Sequence, residues 1–335
     1  MVTLKQIANV CGVSVASVSK ALNHSPDIGA ETTERIIRTA RELGYYPNAV
    51  ARALKTNRSY SIGVLFEDDT HCGLTHEYFS HVLNAVKNEA ESRGYDVTFI
   101  SQKLGRTPMS FLEHCKYRNC DGVVIANVDF MDPTVTELVN SDIPVVTIDY
   151  LFDDRSAVVS DNVQGMHDLL SYVYSMGHRR IAFIHGELTA VTRSRLASFH
   201  KTATELGLEV PDDYVRTARY HDPRQSGLAT RDLLALKEPP TCILYPDDVS
   251  LLGGMTEIER SGLSIPGDIS IAGYDGIPLS QLLRPILTTL RQDSQQLGAQ
   301  AARLLIEAIE QPKTYLPQLV MIPGSVQEGG TVRRI

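Results

Sequence analysis

The sequence lacks the features that direct a protein to a membrane or out of the cell. Its longest apolar stretches, such as Gly122 to Val128, are far shorter than the roughly 18 residues that a membrane helix needs. The N-terminus has no charged segment followed by an apolar one, so no signal peptide is predicted. The five cysteines are odd in number and form no CxxC pair, which is typical of reduced thiols. We therefore expect a protein of the cytoplasm with no membrane partner.

Enzyme and metal motifs are missing as well. The sequence contains no GxGxxG motif after a strand, no P-loop and no GxSxG motif. His71, His76 and His81 are spaced by five residues, which places successive side chains roughly 140° apart on a helix. The cluster from His114 to Cys120 fits no zinc template. We therefore expect no catalytic residue, no metal and no cofactor, and the protein is predicted not to be an enzyme.

The charge is divided unevenly along the chain. The sequence has 335 residues and a net charge of -8, and its length and composition predict two or three globular domains. Up to residue 58 there are eight basic side chains against four acidic ones, a balance of +4, which leaves -12 for the remainder. A basic head on an acidic body is expected where only the head contacts a polyanion. A solvated helical bundle with a chance excess of cations explains the charge equally well.

The basic head has the pattern of a helix-turn-helix. Gly12 interrupts a first helix, and Ser14 can cap a second one. A third helix is predicted from Glu31 to Leu43, with Gly44 at its end. The apolar positions of the first two helices are Leu4, Ile7, Ala8, Cys11, Val18, Ala21 and Leu22. Such a turn lets the second helix enter a major groove, although three short helices can also form a purely structural bundle.

Two segments of the head carry a family resemblance. The run from Thr3 to Asn23, TLKQIANVCGVSVASVSKALN, resembles the headpiece of LacI/GalR-type bacterial transcription regulators. The run from Gly44 to Leu54, GYYPNAVARAL, is similar to the exit of that family's third helix and to its hinge helix. The resemblance implies a helix-turn-helix headpiece over residues 1–45 and a hinge helix with linker over 46–59.

The resemblance implies roles for residues of the head. Val15, Ala16 and Lys20 match base-reading positions, where the first two could only make apolar contacts and Lys20 could donate to guanine. The positions that match phosphate contacts are Thr3, Ser14, Ser19 and Asn23. Leu54 matches a hinge leucine that wedges between base pairs in the minor groove, although it could equally be an apolar anchor of a short helix.

From about Tyr60 onward, short apolar strands alternate with amphipathic helices. This alternation predicts βαβ units and parallel sheets, and about 275 residues suggest two α/β subdomains with a cleft between them. Ligands of such sheets bind beyond the carboxyl ends of the strands. The predicted strands are Ile62 to Phe66, Val97 to Ser101, Gly122 to Ala126, Val145 to Ile148, Ile181 to His185, Cys242 to Tyr245 and Ile269 to Tyr274.

The later sequence resembles the same family's effector-binding core, which is similar to periplasmic sugar-binding proteins. The matching segments include GHRRIA from Gly177 and IPGDISIAGYD from Ile265. By this resemblance Arg195, Asp247 and Asp275 contact a small effector. Their carboxylates and guanidinium suit a polyol, although these residues could instead form a surface ion pair.

Three further residues are weaker candidates for the effector site. Glu67 follows the first strand, and Tyr220 lies near another wall of the expected cleft. Asp161 could line the cleft or cap the following helix. The resemblance also implies three crossings between the subdomains. One subdomain is expected at about 60–157 and 290–320, and the other at about 158–289 and 321–335.

These observations predict an all-α helix-turn-helix headpiece followed by an α/β core of two parallel-sheet subdomains of periplasmic-binding-protein type, over residues 60–335. The expected function is repression of transcription at a double-stranded DNA operator, under control of a sugar-like effector. Pseudo-palindromic operators imply a homodimer, with a tetramer as the alternative, and the helix from Tyr78 to Arg93 is a candidate interface. A sugar-binding receptor or a sugar-handling enzyme built on the same core remain the other classes.

Overall fold

The computed structural model describes residues 2–22, 25, 27–46, 58–68 and 72–335. The chain separates into two compact units, one up to Ser59 and one from Tyr60 onward. Within the described ranges, no helix is both long enough and apolar enough to cross a membrane.

The first unit contains three short helices around a small apolar core. They are α1 (Leu4–Cys11), α2 (Val15–Leu22) and α3 (Ala30–Glu42). The turn between α1 and α2 uses Gly12 at φ 63°, a left-handed conformation that costs glycine little. The residues buried between the helices are Ile7, Ala8, Cys11, Val18, Ala21, Ile36 and Ala40. The helix-turn-helix predicted from the spacing of apolar residues is confirmed.

The second unit contains two six-stranded sheets, as the alternation of strands and helices predicted. The first sheet has the order β13-β7-β6-β5-β1-β2, and all of its pairings are parallel. Its strands are β1 (Ser61–Phe66), β2 (Asp96–Ile100), β5 (Gly122–Asn127), β6 (Val145–Ile148), β7 (Ser156–Ser160) and β13 (Leu319–Ile322). A separate two-stranded ribbon consists of β3 (Lys103–Leu104) and β4 (Thr107–Pro108).

Four helices cover the two faces of the first sheet. Side chains of α4 (Glu77–Ser92) and α12 (Ser294–Glu310) fill the core on one face. Those of α5 (Phe111–Arg118) and α6 (Pro133–Val139) fill the core on the other. The carboxyl ends of the strands therefore stay free of helices and face the loops that carry polar residues.

The second sheet repeats this arrangement with the order β14-β12-β11-β10-β8-β9, in which only the pairing of β12 with β14 is antiparallel. Its helices are α7 (Asn162–Ser175) and α8 (Ala190–Glu205) on one face, with α9 (Pro223–Leu234) and α10 (Asp248–Arg260) on the other. A short helix, α11, spans Leu279–Leu282. The strands are β8 (Ile181–His185), β9 (Val215–Thr217), β10 (Cys242–Leu244), β11 (Ser270–Asp275), β12 (Thr289–Arg291) and β14 (Ser325–Gln327).

The chain passes between the two sheets three times. It leaves the first sheet after β7, returns to it after β12, and leaves it again between β13 and β14. The positions expected for these crossings, Ala157, Leu290 and Met321, lie inside the strands, so the passages begin a few residues later. Each strand keeps its hydrogen bonds to its own sheet until it ends.

Candidate DNA-binding surface and ligand cleft

One face of α2 is free of the apolar core of the first unit. Val15, Ala16 and Lys20 are exposed, whereas Val18 and Ala21 on the opposite face are fully buried. Ala16 and Lys20 are four residues apart and are therefore neighbours on the helix surface, and Val15 is exposed in the first turn of the same helix. The three sequence-predicted base-reading residues are therefore all accessible.

Local hydrogen bonds fix the start of the first two helices. The Thr3 hydroxyl accepts from the Gln6 amide, and the Gln6 side chain accepts from the Thr3 amide at 2.8 Å, which forms a capping box. The Ser14 hydroxyl accepts from the Ser17 amide at 3.0 Å at the start of α2. Thr3 and Ser14 are exposed and Ser19 is half-buried, so all three can be reached by a backbone phosphate.

Lys20 makes an ion pair beyond the end of its helix. Its ammonium lies 2.8 Å from Asp27 Oδ2, and both side chains are more than half exposed. The hydrogen bond and the charge of Lys20 lower the pKa of the Asp27 carboxyl. Because an exposed pair is weak, Lys20 can exchange this partner for another. The predicted phosphate contact Asn23 and the predicted hinge residue Leu54 lie outside the described residues.

The second unit encloses a cleft at the carboxyl ends of both sheets. Its volume is about 280 Å³, near the lower end of the ~300–1,000 Å³ that is typical of ligand pockets. The residues with polar side chains that line it are Asp68, His76, Tyr78, Asn127, Asp149, Tyr150, Glu187, Thr189, Arg195, Tyr220, His221, Asp275 and Gln292. Both subdomains contribute to the lining.

Arg195 is the buried cation of this cleft. It lies in the first half of α8, where Nε donates to Asn162 Oδ1 at 2.8 Å and Nη1 donates to the Pro246 carbonyl at 3.0 Å. Its guanidinium carbon is 3.4 Å from the centroid of the Tyr274 ring, so a cation–π contact supports it from one side. The remaining N–H donors of the fork are left for a ligand.

Asp275 ends β11 in a conformation that few residues adopt. Its φ of 101° lies in the region that favours glycine, a strain that is often found at functional sites. Gln292 Nε2 donates to Asp275 Oδ1 at 2.7 Å. Burial raises the pKa of Asp275 well above its usual value, while the charge of Arg195 acts in the opposite direction. The Asp275 carboxyl is therefore held in place, and its pKa would change if a ligand supplied a hydrogen-bond donor.

Asp149 is a cleft residue that the sequence reasoning missed. It follows β6 at φ 55°, and its Oδ1 accepts from the Ser160 amide at 2.7 Å. Burial raises its pKa to about 6. Its neighbour Tyr150 stacks on Phe130 with 4.2 Å between the ring centroids, which gives the cleft an aromatic wall. The signal that could have found Asp149 was an acidic residue directly after a predicted strand.

Two histidines meet across the cleft. His76 precedes α4 of the first subdomain, and His221 follows β9 of the second, with 3.7 Å between their ring centroids. The His76 Nδ1 accepts from the Phe79 amide at 3.4 Å and so caps α4. Burial lowers the pKa of His76 to about 4, and the neighbouring His221 contributes in the same direction. A neutral His76 imidazole therefore contacts His221 across the cleft.

The sequence-predicted effector residues fall into two groups. Arg195, Asp275 and Tyr220 line the cleft together. Tyr220 is fixed there because its hydroxyl pairs with the Thr192 hydroxyl at 2.8 Å. Among the others, Asp247 lies outside the lining.

Asp247 contacts a residue of the lining and is not itself part of the lining. Its Oδ2 accepts from the His221 amide at 3.0 Å, and its Oδ1 accepts from the Ser250 amide at the start of α10. The remaining two candidates are also outside the lining of this cleft. Asp161 caps α7 by accepting from the Gln164 amide, and Glu67 is exposed while the next residue, Asp68, lines the cleft.

The head and the cleft together define a class of protein. A helix-turn-helix unit with an accessible second helix, carried on a chain whose other unit is a two-subdomain α/β core, is the architecture of a DNA-binding regulator. Within the described residues, no group of three or more histidine, cysteine or acidic side chains could hold a metal ion.

Comparison with known proteins identifies the family within this class. The profile of bacterial regulatory proteins of the lacI family matches residues 3–48, and that of a periplasmic binding protein-like domain matches residues 170–332. The HTH-type transcriptional repressor PurR of Pasteurella multocida (strain Pm70) is 31% identical, over 96% of each chain. The lac repressor dimer, solved bound to operator and the anti-inducer ONPF, is 27% identical and superimposes with a TM-score of 0.78 over 99% of each chain.

The chain therefore belongs to the LacI family. It is a DNA-binding transcriptional repressor and not an enzyme, as the sequence predicted.

Proposed function

We propose that this repressor binds a pseudo-palindromic operator as a dimer in the cytoplasm, and that a small sugar-like effector in the cleft controls its DNA affinity. The observation that carries the proposal is the cleft, in which Arg195, Asp275 and Tyr220 converge from different elements of the second subdomain. A repressor that did not respond to a ligand would have no need for buried charged groups around a cavity.

The head supplies the operator contacts in this proposal. Val15 and Ala16 contact thymine methyl groups, and Lys20 donates to a guanine in the major groove. Thr3, Ser14 and Ser19 contact phosphates and fix the register of the recognition helix. Asn23 and Leu54 complete the set as a phosphate contact and a minor-groove wedge.

The cleft supplies the effector contacts. Arg195 and Asp275 pair with adjacent hydroxyl groups, because a guanidinium donates and a carboxylate accepts. Tyr220 covers one side of the ligand. Asp247 contributes indirectly, by holding the His221 backbone amide. Asp161 caps a helix and Glu67 is exposed, so neither is assigned a direct contact with the effector.

The dimer follows from the symmetry of the operator, because two heads must read two half-sites. The lac repressor was solved as a dimer on its operator. The proposed dimer interface includes α4. The exposed residues of this helix, among them His81, Asn84 and Lys87, take no part in its packing against the sheet. Light scattering after gel filtration distinguishes the dimer from the tetramer.

The effector acts by favouring one geometry of the cleft. A coupling of ~1 to 3 kcal/mol between effector and operator would change DNA affinity about 5- to 150-fold. The effector then changes the affinity for the operator by the same factor as the operator changes the affinity for the effector, because linkage is reciprocal.

The test is fluorescence anisotropy of a labelled fragment from upstream of the protein's own gene. We expect tight binding that resists competitor DNA and changes when one compound of a panel of sugars and sugar derivatives is added. Weak binding that is uniform across sequences and is abolished by modest salt would contradict the operator role. Tight binding that no compound alters would contradict effector control alone.

A further inference from the structure

The lining of the cleft has an excess of acidic side chains. In the described part of the lining, four residues carry carboxyl groups, namely Asp68, Asp149, Glu187 and Asp275. Among the lining residues that the structure describes, Arg195 is the single lysine or arginine. A ligand that carries its own negative charge would therefore meet more carboxyl groups than cations.

The acidic groups near the rim are already engaged. Glu187 Oε2 accepts from the Tyr220 amide at 3.1 Å, and its Oε1 lies 3.9 Å from Arg219 Nε. Asp68 Oδ2 accepts from the Gly73 amide at 2.9 Å. The charge balance that a ligand meets deeper in the cleft thus depends on Asp149, Asp275 and Arg195.

Arg195 is only partly available to an anion. Asn162 and Pro246 hold two of its nitrogens, and the ring of Tyr274 covers one face. A phosphate or carboxylate usually binds a guanidinium with two parallel N–H···O bonds, often with a second cation nearby. The described part of the lining contains no second lysine or arginine.

Two buried polar atoms at the cleft make no hydrogen bond of good geometry. The Gln292 Oε1 atom is buried without a hydrogen bond. The Tyr78 hydroxyl is also buried and makes no hydrogen bond of good geometry, although the nearby Ser160 hydroxyl lowers its pKa. The two residues are only 7% and 6% exposed. A buried polar atom without a partner is costly, and such atoms at a ligand site mark where the ligand supplies the missing hydrogen bond. An amide oxygen accepts only, so its missing partner must be a donor.

We propose that the cleft selects an uncharged polyhydroxylated compound of the size of one sugar ring, and that it excludes the phosphorylated and carboxylated forms of that compound. Hydroxyl groups of the ligand donate to Gln292 Oε1, Asp149 and Asp275, and one hydroxyl pairs with Tyr78. The inference rests on the proposed effector control, and it specifies the chemistry of the effector.

The test compares matched ligands on the full-length protein. Pentoses, hexoses and polyols are each titrated as the uncharged parent, the terminal phosphate, the uronic acid and the 2-amino-2-deoxy derivative, with calorimetry as the measurement. We expect one uncharged parent to bind, and its phosphate and uronate to bind about tenfold more weakly or worse, because like charges oppose each other across a desolvated site.

Two variants connect the selectivity to named atoms. Tyr78→Phe removes a hydroxyl that makes no hydrogen bond of good geometry within the protein, so we expect an unchanged or higher unfolding temperature and an affinity for the parent lowered about 3- to 10-fold. Asp149→Asn removes one charge at constant shape, so the preference for the parent over its uronate should narrow. Asp153→Asn, an equivalent change at an exposed position, is the control and should leave the preference as it is.

The outcomes separate this inference from the proposed function. Tighter binding of a phosphate, a uronate or an amino sugar than of its uncharged parent would overturn the inference and leave effector control intact. Binding by no compound of the panel would overturn both the inference and the sugar-like effector, while operator binding in the anisotropy assay would still stand. A Tyr78→Phe variant that loses stability and keeps its affinity would show that the hydroxyl has a structural role.

Discussion

At the scale of single residues, Lys20 is the most direct test of the DNA-binding surface. Its exposed ammonium has an exchangeable partner in Asp27, and its side chain is a neighbour of Ala16 on the helix surface. We expect Lys20→Ala to weaken operator binding about tenfold or more, because a specific base contact contributes ~1 to 3 kcal/mol. Competition binding with operators that vary one base pair at a time should also show relaxed specificity at a single position.

A matched control separates base reading from general electrostatics. Lys201→Ala removes an exposed lysine of α8 that also has an acidic partner, Glu205, at 3.8 Å. This variant should bind the operator like the parent protein. Equal losses on operator and random duplex for Lys20→Ala would contradict base reading and would indicate a phosphate contact instead.

Single residues also show how far the sequence predicts the cleft. Arg195, Asp275 and Tyr220 were found because family resemblance and strand-end positions indicated them. Gln292 and Tyr78 were missed, because their role depends on a missing hydrogen bond, which only coordinates reveal. Asp247 was expected at the ligand, yet its two oxygens are used by His221 and Ser250.

At the scale of elements, the sequence predicted the long strands and missed the short ones. All seven predicted strands are present within a residue or two of their expected ends. The strands without a prediction are β3, β4, β7, β9, β12, β13 and β14, most of which have only two to four residues. Runs that short carry too little periodicity to be recognised, and their strand conformation comes from pairing with neighbours distant in sequence.

The crossing of α4 and α12 depends on a glycine. A Cβ atom added to Gly298 would lie 2.2 Å from the Val82 carbonyl oxygen and 2.9 Å from the Ala85 Cβ atom. Because backbone atoms cannot move aside, we expect Gly298→Ala to lower the free energy of unfolding by ~1 to 3 kcal/mol, as overpacking usually does. Urea unfolding followed by circular dichroism measures the loss.

The same helix offers a control for this substitution. Gln295→Ala lies at an exposed position of α12 and does not enter the crossing. It should leave stability within about 0.5 kcal/mol of the parent. If Gly298→Ala were as stable as the parent, the two helices would have room to separate, and the close contact would not be needed for the fold.

At the scale of the whole molecule, the contact between His76 and His221 predicts that the core responds to pH. The pKa of His76 is about 4 in the native protein against 6.5 for an ordinary histidine. Between these values the unfolded chain binds a proton that the native protein does not, so the contribution of His76 favours folding above pH 6.5 and is lost as the pH falls toward 4. The nearby carboxylates Asp68 and Asp247 oppose this shift.

The stability of the parent protein alone does not reveal this effect. Burial raises the pKa of Asp149 to about 6 and that of Asp248 to about 8. In the native state these groups keep protons that the unfolded chain releases, so their contributions are lost as the pH rises and oppose that of His76. The difference between the parent and a variant isolates the histidine, because the carboxyl groups are common to both.

The change that tests the contact is His76→Asn, since asparagine keeps the acceptor that caps α4 and removes the titrating ring. Relative to the parent, the variant should gain about 2 kcal/mol of unfolding free energy between pH 7 and pH 5, from a proton linkage of about 1.4 kcal/mol per pH unit below 6.5. Urea unfolding at both pH values measures it, with His200→Asn, at an exposed position of α8, as the control. A difference that did not change with pH would mean that the His76 ring titrates normally, and then the contact between the two walls of the cleft does not involve a neutral His76 in solution.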